Sequence, residues 1–166
     1  MTDAAVEGTL AAMTASDPEA QLTAFLAKYS PDIAARAAAA IGVMRARYPG
    51  AQALAYDNYN ALAVGFAPTD KTSGAVFSIA VYPRWVTLFL LRGAHLDDPY
   101  SLLKGKGGQV RHIVLTELAL LDDPRVTALM AAALEAAGTR LDGDGGRLII
   151  KSVAERQRPR RPLPKI

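Results

Sequence analysis

The spacing of apolar residues changes along the chain from a helical period to a strand period and back again. Helices are predicted to begin at Pro18, Pro31 and Pro124. Each of these prolines follows an Asp or Ser that can cap a helix, and a missing N–H costs nothing at the first helical position. Between the second and third helices, alternating or continuous apolar runs predict strands. The predicted strands are 52–56, 60–66, 75–82, 86–91 and 110–115, with 147–153 as an edge strand or an extended arm.

Two short segments join these strands in pairs. Asp57-Asn58-Tyr59 and Pro83-Arg84-Trp85 each lie between two apolar runs, a pattern typical of hairpin turns. In the strand after the first turn, large apolar residues alternate with small ones, and the small face suits close packing against the helices or a partner. Strands that follow one another between separate helices predict an α+β fold with an antiparallel sheet.

Composition limits the domain count and the chemistry. With 166 residues and 51% hydrophobic content, the chain is long enough for one core and short for two domains. We therefore expect a flexible N-terminus over 1–16, a single domain over 17–153 and a basic, proline-rich tail over 154–166. The absence of cysteine excludes disulfides and thiolate nucleophiles and fits a reducing compartment. Neither a secretory signal nor an apolar run of about 20 residues is found, so a cytoplasmic protein with no membrane contact is expected.

The net charge of +3 is unevenly distributed. Residues 1–150 hold slightly more acidic than basic side chains, whereas residues 151–166 hold six Lys or Arg against one Glu. Such a tail can contact phosphates, although it lacks the interleaved aromatics of a platform for single strands. A solubilising end, or an arm laid over the protein's own or a neighbour's surface, accounts for it equally well. The residues considered for nucleic-acid or partner contact are Arg156, Arg158, Arg160 and Arg161.

Polar and aromatic residues at the turns and in one glycine-rich loop are the candidates for ligand binding. The loop 104–108 combines glycines, which expose backbone N–H groups, with two lysines, so it either contacts an anion or is a flexible connection. Arg84 beside Trp85 offers a cation and a flat ring, although a Trp that caps the edge of the core is the alternative. Turn chemistry alone accounts for Asp57. The full candidate set is Asp57, Tyr59, Arg84, Trp85, Lys104, Lys106 and Arg111.

No residue pattern predicts catalysis, a metal or a cofactor. His95 and His112 are the only histidines, so carboxylates would have to supply most ligands of a metal site. Structural hydrogen bonding is the favoured role for both. The segment 142–146 resembles the start of a calcium loop, but Val153 stands where a bidentate Glu is needed. No serine lies in a nucleophile-elbow motif. An enzyme is therefore not expected, and no catalytic residue is named.

Three segments occur in an order that resembles the YdhG-like family, catalogued as domain of unknown function 1801. They are Ala53 to Asn60, Tyr82 to Leu88, and Leu103 to Gly105 with Gln109 to His112. The closing residues 151–153 and 157–161 resemble one branch of that family. The resemblance covers about residues 20–160. It implies a two-layer α+β fold of the secretion-chaperone-like type, in which helices pack on one face of an antiparallel sheet of about five strands.

The resemblance implies little chemistry. No general activity is established for the family, and one branch is linked with iron delivery. Because this chain lacks cysteine and has no dense acidic or histidine cluster, iron is not expected here.

Three hypotheses about function remain. The leading one is a cytoplasmic, non-enzymatic binding module whose turn residues converge on a shallow pocket at the rim of the sheet, for a small anionic ligand or a peptide. The alternative is a nucleic-acid-associated protein that acts through its arginine-rich tail. A third is a homodimer that uses the small-residue strand face and the tail.

Overall fold

The computed structural model describes residues 17–163. The flexible N-terminus expected over 1–16 and the last three residues of the basic tail, 164–166, lie outside the described residues.

Three helices begin at the prolines that the sequence indicates. They are α1 (Pro18–Leu26), α2 (Pro31–Arg47) and α3 (Pro124–Ala137). Asp17 caps α1 and Asp123 caps α3, each by accepting a hydrogen bond from the backbone N–H two residues on, at 3.1 and 2.9 Å. Ser30 precedes α2 in the same way, but its side chain makes no capping hydrogen bond. Gly138 ends α3 with a φ of 69°, the left-handed value that favours glycine.

Six strands form the sheet within residues 17–163. They are β1 (Gln52–Asp57), β2 (Leu62–Ala67), β3 (Phe77–Val81), β4 (Val86–Leu90), β5 (Arg111–Val114) and β6 (Leu148–Val153). Their order across the sheet is β5-β4-β3-β2-β1-β6, and neighbours are antiparallel except for β1 and β6, which are parallel. Backbone hydrogen bonds from Asn58 to Ala61 (3.0 Å) and from Tyr82 to Trp85 (2.9 Å) close the two predicted hairpins.

The antiparallel order gives the sheet two different ends. Both hairpin turns lie at one of them, the hairpin end (residues 57–61 and 82–85). The other is the loop end (residues 91–110), because β5 pairs Arg111 with Leu90, the last residue of β4. Strands of five to six residues, at about 3.3 Å per residue, separate the two ends by roughly 15–20 Å.

One face of the sheet packs against the helices. Large apolar strand residues on this face, such as Phe66, Phe77 and Leu88, are fully buried together with Met44 of α2 and Met130 of α3. Each such side chain contributes about 2–3 kcal/mol through burial. In β2 the small residues of the alternation point to the opposite, helix-free face, so they do not pack against the helices.

The expected α+β class is confirmed, with helices packed on a mostly antiparallel sheet. The sheet has six strands rather than about five, because the segment predicted as an edge strand or an arm pairs with β1. Leu148 lies beside Ala53 and Val153 beside Asp57. A parallel pair needs a long crossover, and this one includes α3. No helix within residues 17–163 is long and apolar enough to cross a bilayer.

Candidate functional site

A buried carboxylate at the hairpin end binds two cations. Asp57, the last residue of β1, has no exposed surface. One carboxylate oxygen accepts a hydrogen bond from Lys28 Nζ at 2.5 Å, and the other accepts one from an Arg160 Nη at 2.8 Å. The Lys28 side chain is 39% exposed, whereas Arg160 is only 5% exposed. This ion cluster therefore has one cation that reaches water and one that does not.

The ion cluster changes the interpretation of Asp57. Burial alone would raise the pKa of its carboxyl, but the side chains of Lys28, Gln157 and Arg160 outweigh burial and hold that pKa below its ordinary value. The side chain is thus ionised at neutral pH. The interpretation of Asp57 as a turn residue is wrong, because backbone atoms close the turn while the carboxylate binds the two cations. Asp57 is fully buried and does not line the open cleft described below.

The C-terminal segment (residues 154–163) lies over the turn between β1 and β2. The backbone N–H of its first residue donates to the Asp57 carbonyl, and that of Arg158 donates to the Tyr59 carbonyl, both at 2.8 Å. Arg160 also donates to the carbonyls of the two residues after Asp57, at 2.5 and 3.4 Å. Of the alternatives for the tail, the structure has the arm laid over the protein's own surface.

Lys28, just after α1, holds the same segment. Its Nζ donates to Gln157 Oε1 at 2.7 Å, and Gln157 Nε2 donates to the Asp57 carbonyl at 3.2 Å. Farther along, Arg161 Nε donates to the Lys28 carbonyl at 3.2 Å. The segment is thereby tied both to the sheet and to the helical layer.

Tyr29 lies beneath the ion cluster. Its hydroxyl donates to the Val81 carbonyl at 2.7 Å and accepts from the Leu62 N–H at 3.1 Å, so it joins the helical layer to β2 and β3. The Arg160 guanidinium carbon lies 5.8 Å from the centre of its ring. Burial is the main cause of the raised pKa of Tyr29. The phenol is therefore neutral, and its ring lies directly beneath the Arg160 guanidinium.

An open cleft of about 580 Å³ lies between the β3–β4 turn and the C-terminal segment. Trp85 is 45% exposed, and its ring lies 5.8 Å from the Tyr82 ring, tilted by 39°. The volume falls in the range of small-molecule sites. We call this hollow the rim cleft. The hairpin end contributes Asn60, Tyr82, Pro83, Arg84 and Trp85 to its lining, and the segment contributes Arg158, Pro159, Arg161, Pro162 and Leu163.

Among residues 17–163, three arginines and no acidic residue belong to this lining. Arg84, Arg158 and Arg161 form no ion pair with any residue of 17–163. Guanidinium groups bind carboxylates and phosphates through paired hydrogen bonds. Because the remaining lining is mostly aromatic and proline, the rim cleft can hold an anionic group beside a flat or apolar body.

Tyr59 belongs to a different, shallower hollow on the helix-free face of the sheet. This hollow measures about 600 Å³, and small residues such as Ala63 and Ala80 line it together with Tyr59 and Val110. Tyr59 is 55% exposed there. It is not among the residues that line the rim cleft, but the two hollows share Asn60 and Tyr82, so a role of Tyr59 in ligand binding stays a prediction.

Lys104, Lys106 and Arg111 lie at the loop end, away from Arg84 and Trp85. The expectation that all turn and loop candidates converge on one pocket is wrong for these three residues. The physical reason is the pairing of β4 with β5, which puts the start of β5 where β4 finishes. The length of the strands then separates the loop cations from the hairpin turns.

The glycine-rich loop closes around its own arginine. Arg111 Nη1 donates to the carbonyls of Gly107 (2.5 Å) and Val110 (2.8 Å). An anion-binding loop would instead direct N–H groups inwards. Lys104 exchanges two backbone hydrogen bonds with His112, each of 2.9 Å, so that it extends the edge of the sheet. Within residues 17–163 no group of three or more acidic or histidine side chains could hold a metal ion.

Sequence reasoning missed the partners of Asp57. Composition suggests that a charged, proline-rich tail does not fold by itself. The segment has no helix or strand of its own, but hydrogen bonds with the sheet and with Lys28 still hold it in a defined place. One signal was available: Asp57 continues the inward-facing series Ala53, Ala55. A carboxylate on the core side of a strand requires a cationic partner.

Comparisons with protein-family models, with curated proteins and with solved structures return no match to this chain. The resemblance to the YdhG-like family therefore stays a prediction from the sequence.

Proposed function

We propose that the protein is a cytoplasmic, non-enzymatic binding module of the YdhG-like type, which takes a small anionic ligand in the rim cleft. The ligand combines a carboxylate or phosphate with a flat or apolar body. The anion pairs with Arg84 on one wall and with Arg158 and Arg161 on the other. The body of the ligand lies against Trp85. Cysteine-free composition supports the cytoplasmic part of the proposal.

The observation that carries this proposal is the composition of the cleft. Its lining has three guanidiniums and, within residues 17–163, no carboxylate, so a bound anion meets attractive charges and no competing acidic group. Trp85, at 45% exposure, leaves an apolar surface beside these charges that a ligand can cover. Burial of a ring against Trp85 adds apolar contact and stacking to the ionic contacts.

Nucleic-acid binding through the tail has less support. Arg160 is buried in an ion pair with Asp57, so Arg156, Arg158 and Arg161 are the tail arginines that form no ion pair within residues 17–163. Three such cations release few counterions from a duplex. Salt-sensitive duplex or RNA binding that disappears when residues 155–166 are deleted would favour this alternative over the anionic ligand.

Trp85 makes the proposal directly measurable, because it is the only tryptophan of the chain. Its fluorescence is to be titrated with phenyl phosphate, benzoate, inorganic phosphate, a short acidic peptide and uncharged phenol. We expect a saturable change with phenyl phosphate and none with phenol. Arg84→Ala should weaken phenyl phosphate binding about tenfold, which corresponds to the loss of one charge-assisted contact.

The matched control is the double variant Lys104→Ala, Lys106→Ala, which removes two exposed cations at the loop end. It should bind phenyl phosphate as the wild type does. No saturable response to any anion, or an equal loss of affinity in the loop-end variant and in Arg84→Ala, would contradict the proposal. A response to the acidic peptide alone would change the ligand class from a small molecule to a peptide.

A further inference from the structure

We infer that Arg160 is the positioning residue of the rim cleft, although it does not line the cleft. This inference rests on the proposed function. One complete wall of the cleft belongs to the C-terminal segment, and that wall has no sheet or helix of its own to hold it. Its place depends on the contacts that anchor the segment.

Arg160 makes the most enclosed of these anchoring contacts. It bridges the Asp57 carboxylate and the carbonyls of Asn58 and Tyr59, and it is 5% exposed. The planar, forked guanidinium can reach three acceptors at once, which a lysine ammonium on a flexible stem cannot do in the same geometry. Arg160 thereby fixes the segment to the turn after β1.

The position of Arg160 affects the cleft through its neighbours in the chain. Arg158 and Arg161 flank it on the segment side, and Asn60 follows the bridged carbonyls on the turn side. All three line the cleft. With Arg160 in place, both walls of the cleft are held to the same turn, so the wall formed by the segment is already positioned when a ligand binds. Preorganisation of this kind raises affinity because less conformational freedom is lost.

This coupling is reciprocal. If docking of the segment raises the affinity for the ligand, then the bound ligand stabilises the docked segment by the same factor. The backbone after Arg156 and after Arg160 is open to trypsin when the segment leaves the sheet, and saturating phenyl phosphate should slow cleavage at both positions.

The decisive variant is Arg160→Ala, compared with Arg156→Ala in the same segment. Arg156 is exposed and does not line the cleft. In Arg160→Ala we expect stronger acrylamide quenching of Trp85, faster tryptic cleavage after Arg156, and phenyl phosphate binding weakened at least about tenfold. Arg156→Ala should match the wild type in quenching and in affinity. Arg160→Lys keeps the charge but not the fork, and should lie between the wild type and Arg160→Ala.

A second variant separates positioning from stability. The double variant Asp57→Asn, Arg160→Met removes both buried charges, while Lys28, which is 39% exposed, keeps water and Gln157 as partners. We therefore expect this variant to retain its fold. It still lacks the bridge to the two carbonyls, and we expect it to bind phenyl phosphate as weakly as Arg160→Ala does. Wild-type affinity in this double variant would overturn the inference.

The measurements distinguish the inference from the proposed function. If no probe changes the fluorescence of wild-type Trp85, the proposed function fails and the coupling to a ligand fails with it. The quenching and cleavage of Arg160→Ala then decide whether Arg160 positions the segment. If the wild type binds phenyl phosphate and Arg160→Ala binds it equally well, the inference is overturned while the proposed function stands.

Discussion

The hairpin end and the loop end of the sheet both gather cations, but they hold them by different means. At the hairpin end, a buried carboxylate on Asp57 binds Lys28 and Arg160. At the loop end, Arg111 donates to carbonyls of its own exposed loop. A buried charge cannot stay unpaired, so the hairpin end fixes a distant segment of chain. The solvated carbonyls of the loop can hydrogen-bond with water instead, so the contacts of Arg111 order only its own loop and no distant segment.

Distance along the chain makes the contrast concrete. Arg160 is 103 residues from Asp57, whereas Arg111 is 4 residues from Gly107. Contacts between remote residues form only when the whole fold forms, and contacts within a loop can break by local opening. We therefore expect substitutions at the hairpin end to lower the free energy of global unfolding. Matched substitutions at the loop end should change it little.

The largest effect is expected for Asp57→Ala. It leaves Arg160 buried without a counter-charge, and breaking a buried pair in this way costs about 3–5 kcal/mol. The matched carboxylate is Asp98, which leads into the glycine-rich loop and accepts hydrogen bonds from the backbone N–H groups of Leu102 (3.0 Å) and Leu103 (2.8 Å). Asp98→Ala should cost about 1 kcal/mol. Urea unfolding measures both.

The contrast fails if Asp57→Ala and Asp98→Ala cost the same free energy of unfolding. An Asp57→Ala variant as stable as the wild type would mean that the ion cluster does not contribute to the free energy of unfolding.

Acidification should remove the contribution of Asp57 in a defined pH window. Its folded-state pKa is lowered, whereas an unfolded Asp titrates near about 3.9. Because the unfolded state then binds more protons, the contribution is complete above the unfolded pKa and is lost as pH falls through the folded one. The stability difference between wild type and Asp57→Asn should be constant from about pH 7 to 5 and shrink below about pH 4. Chemical denaturation over this range measures it, and an unchanged difference at about pH 3 would contradict the ion pair.

Tyr29→Phe should have the next largest effect. It removes the partner of two backbone groups, the Val81 carbonyl and the Leu62 N–H, under the ion cluster. Leaving buried polar groups unsatisfied costs about 2 kcal/mol in total. Tyr100 is the control, since it is 63% exposed, and Tyr100→Phe should stay within about 0.5 kcal/mol of the wild type. Thermal unfolding of the two variants measures the difference, and equal effects would mean that the Tyr29 hydroxyl is not a structural link.

The smallest effects are expected for a pair of substitutions in the glycine-rich loop. Gly105 has a φ of 121°, and an added Cβ would lie 3.4 Å from the Val110 carbonyl oxygen. Gly105→Ala should therefore cost about 1 kcal/mol. Gly107 has open space around it, and Gly107→Ala should be neutral within about 0.5 kcal/mol. Unfolding in urea distinguishes the two, and a larger loss for Gly107→Ala would contradict the described loop.

Much of the fold could be predicted from the sequence because its signals are local. The Asp-Pro and Ser-Pro pairs start the three helices found within residues 17–163, and apolar runs on either side of 57–61 and 82–85 mark the two hairpins. The pairing of β6 with β1 could not be predicted in this way. Its apolar pattern is short, and a parallel partner across most of the chain leaves no turn signal in the sequence.

The candidate site could be predicted only in part. Arg84 and Trp85 line the rim cleft as a turn with exposed polar and aromatic residues suggests. The opposite wall was missed because a proline- and arginine-rich segment has no apolar pattern, and its position depends on Asp57, more than a hundred residues away. Lys104 and Lys106 were misplaced because nothing in their loop reveals at which end of the sheet it lies.

Amide hydrogen exchange of Arg158 tests the central claim most directly. Its N–H donates to the Tyr59 carbonyl at 2.8 Å only while the C-terminal segment lies on the sheet. We predict that this amide exchanges at least about a hundredfold more slowly than in an unstructured peptide, and that Arg160→Ala abolishes the protection. Exchange of the Arg158 amide at the unprotected rate in the wild-type protein would contradict the docked segment, and with it the second wall of the rim cleft.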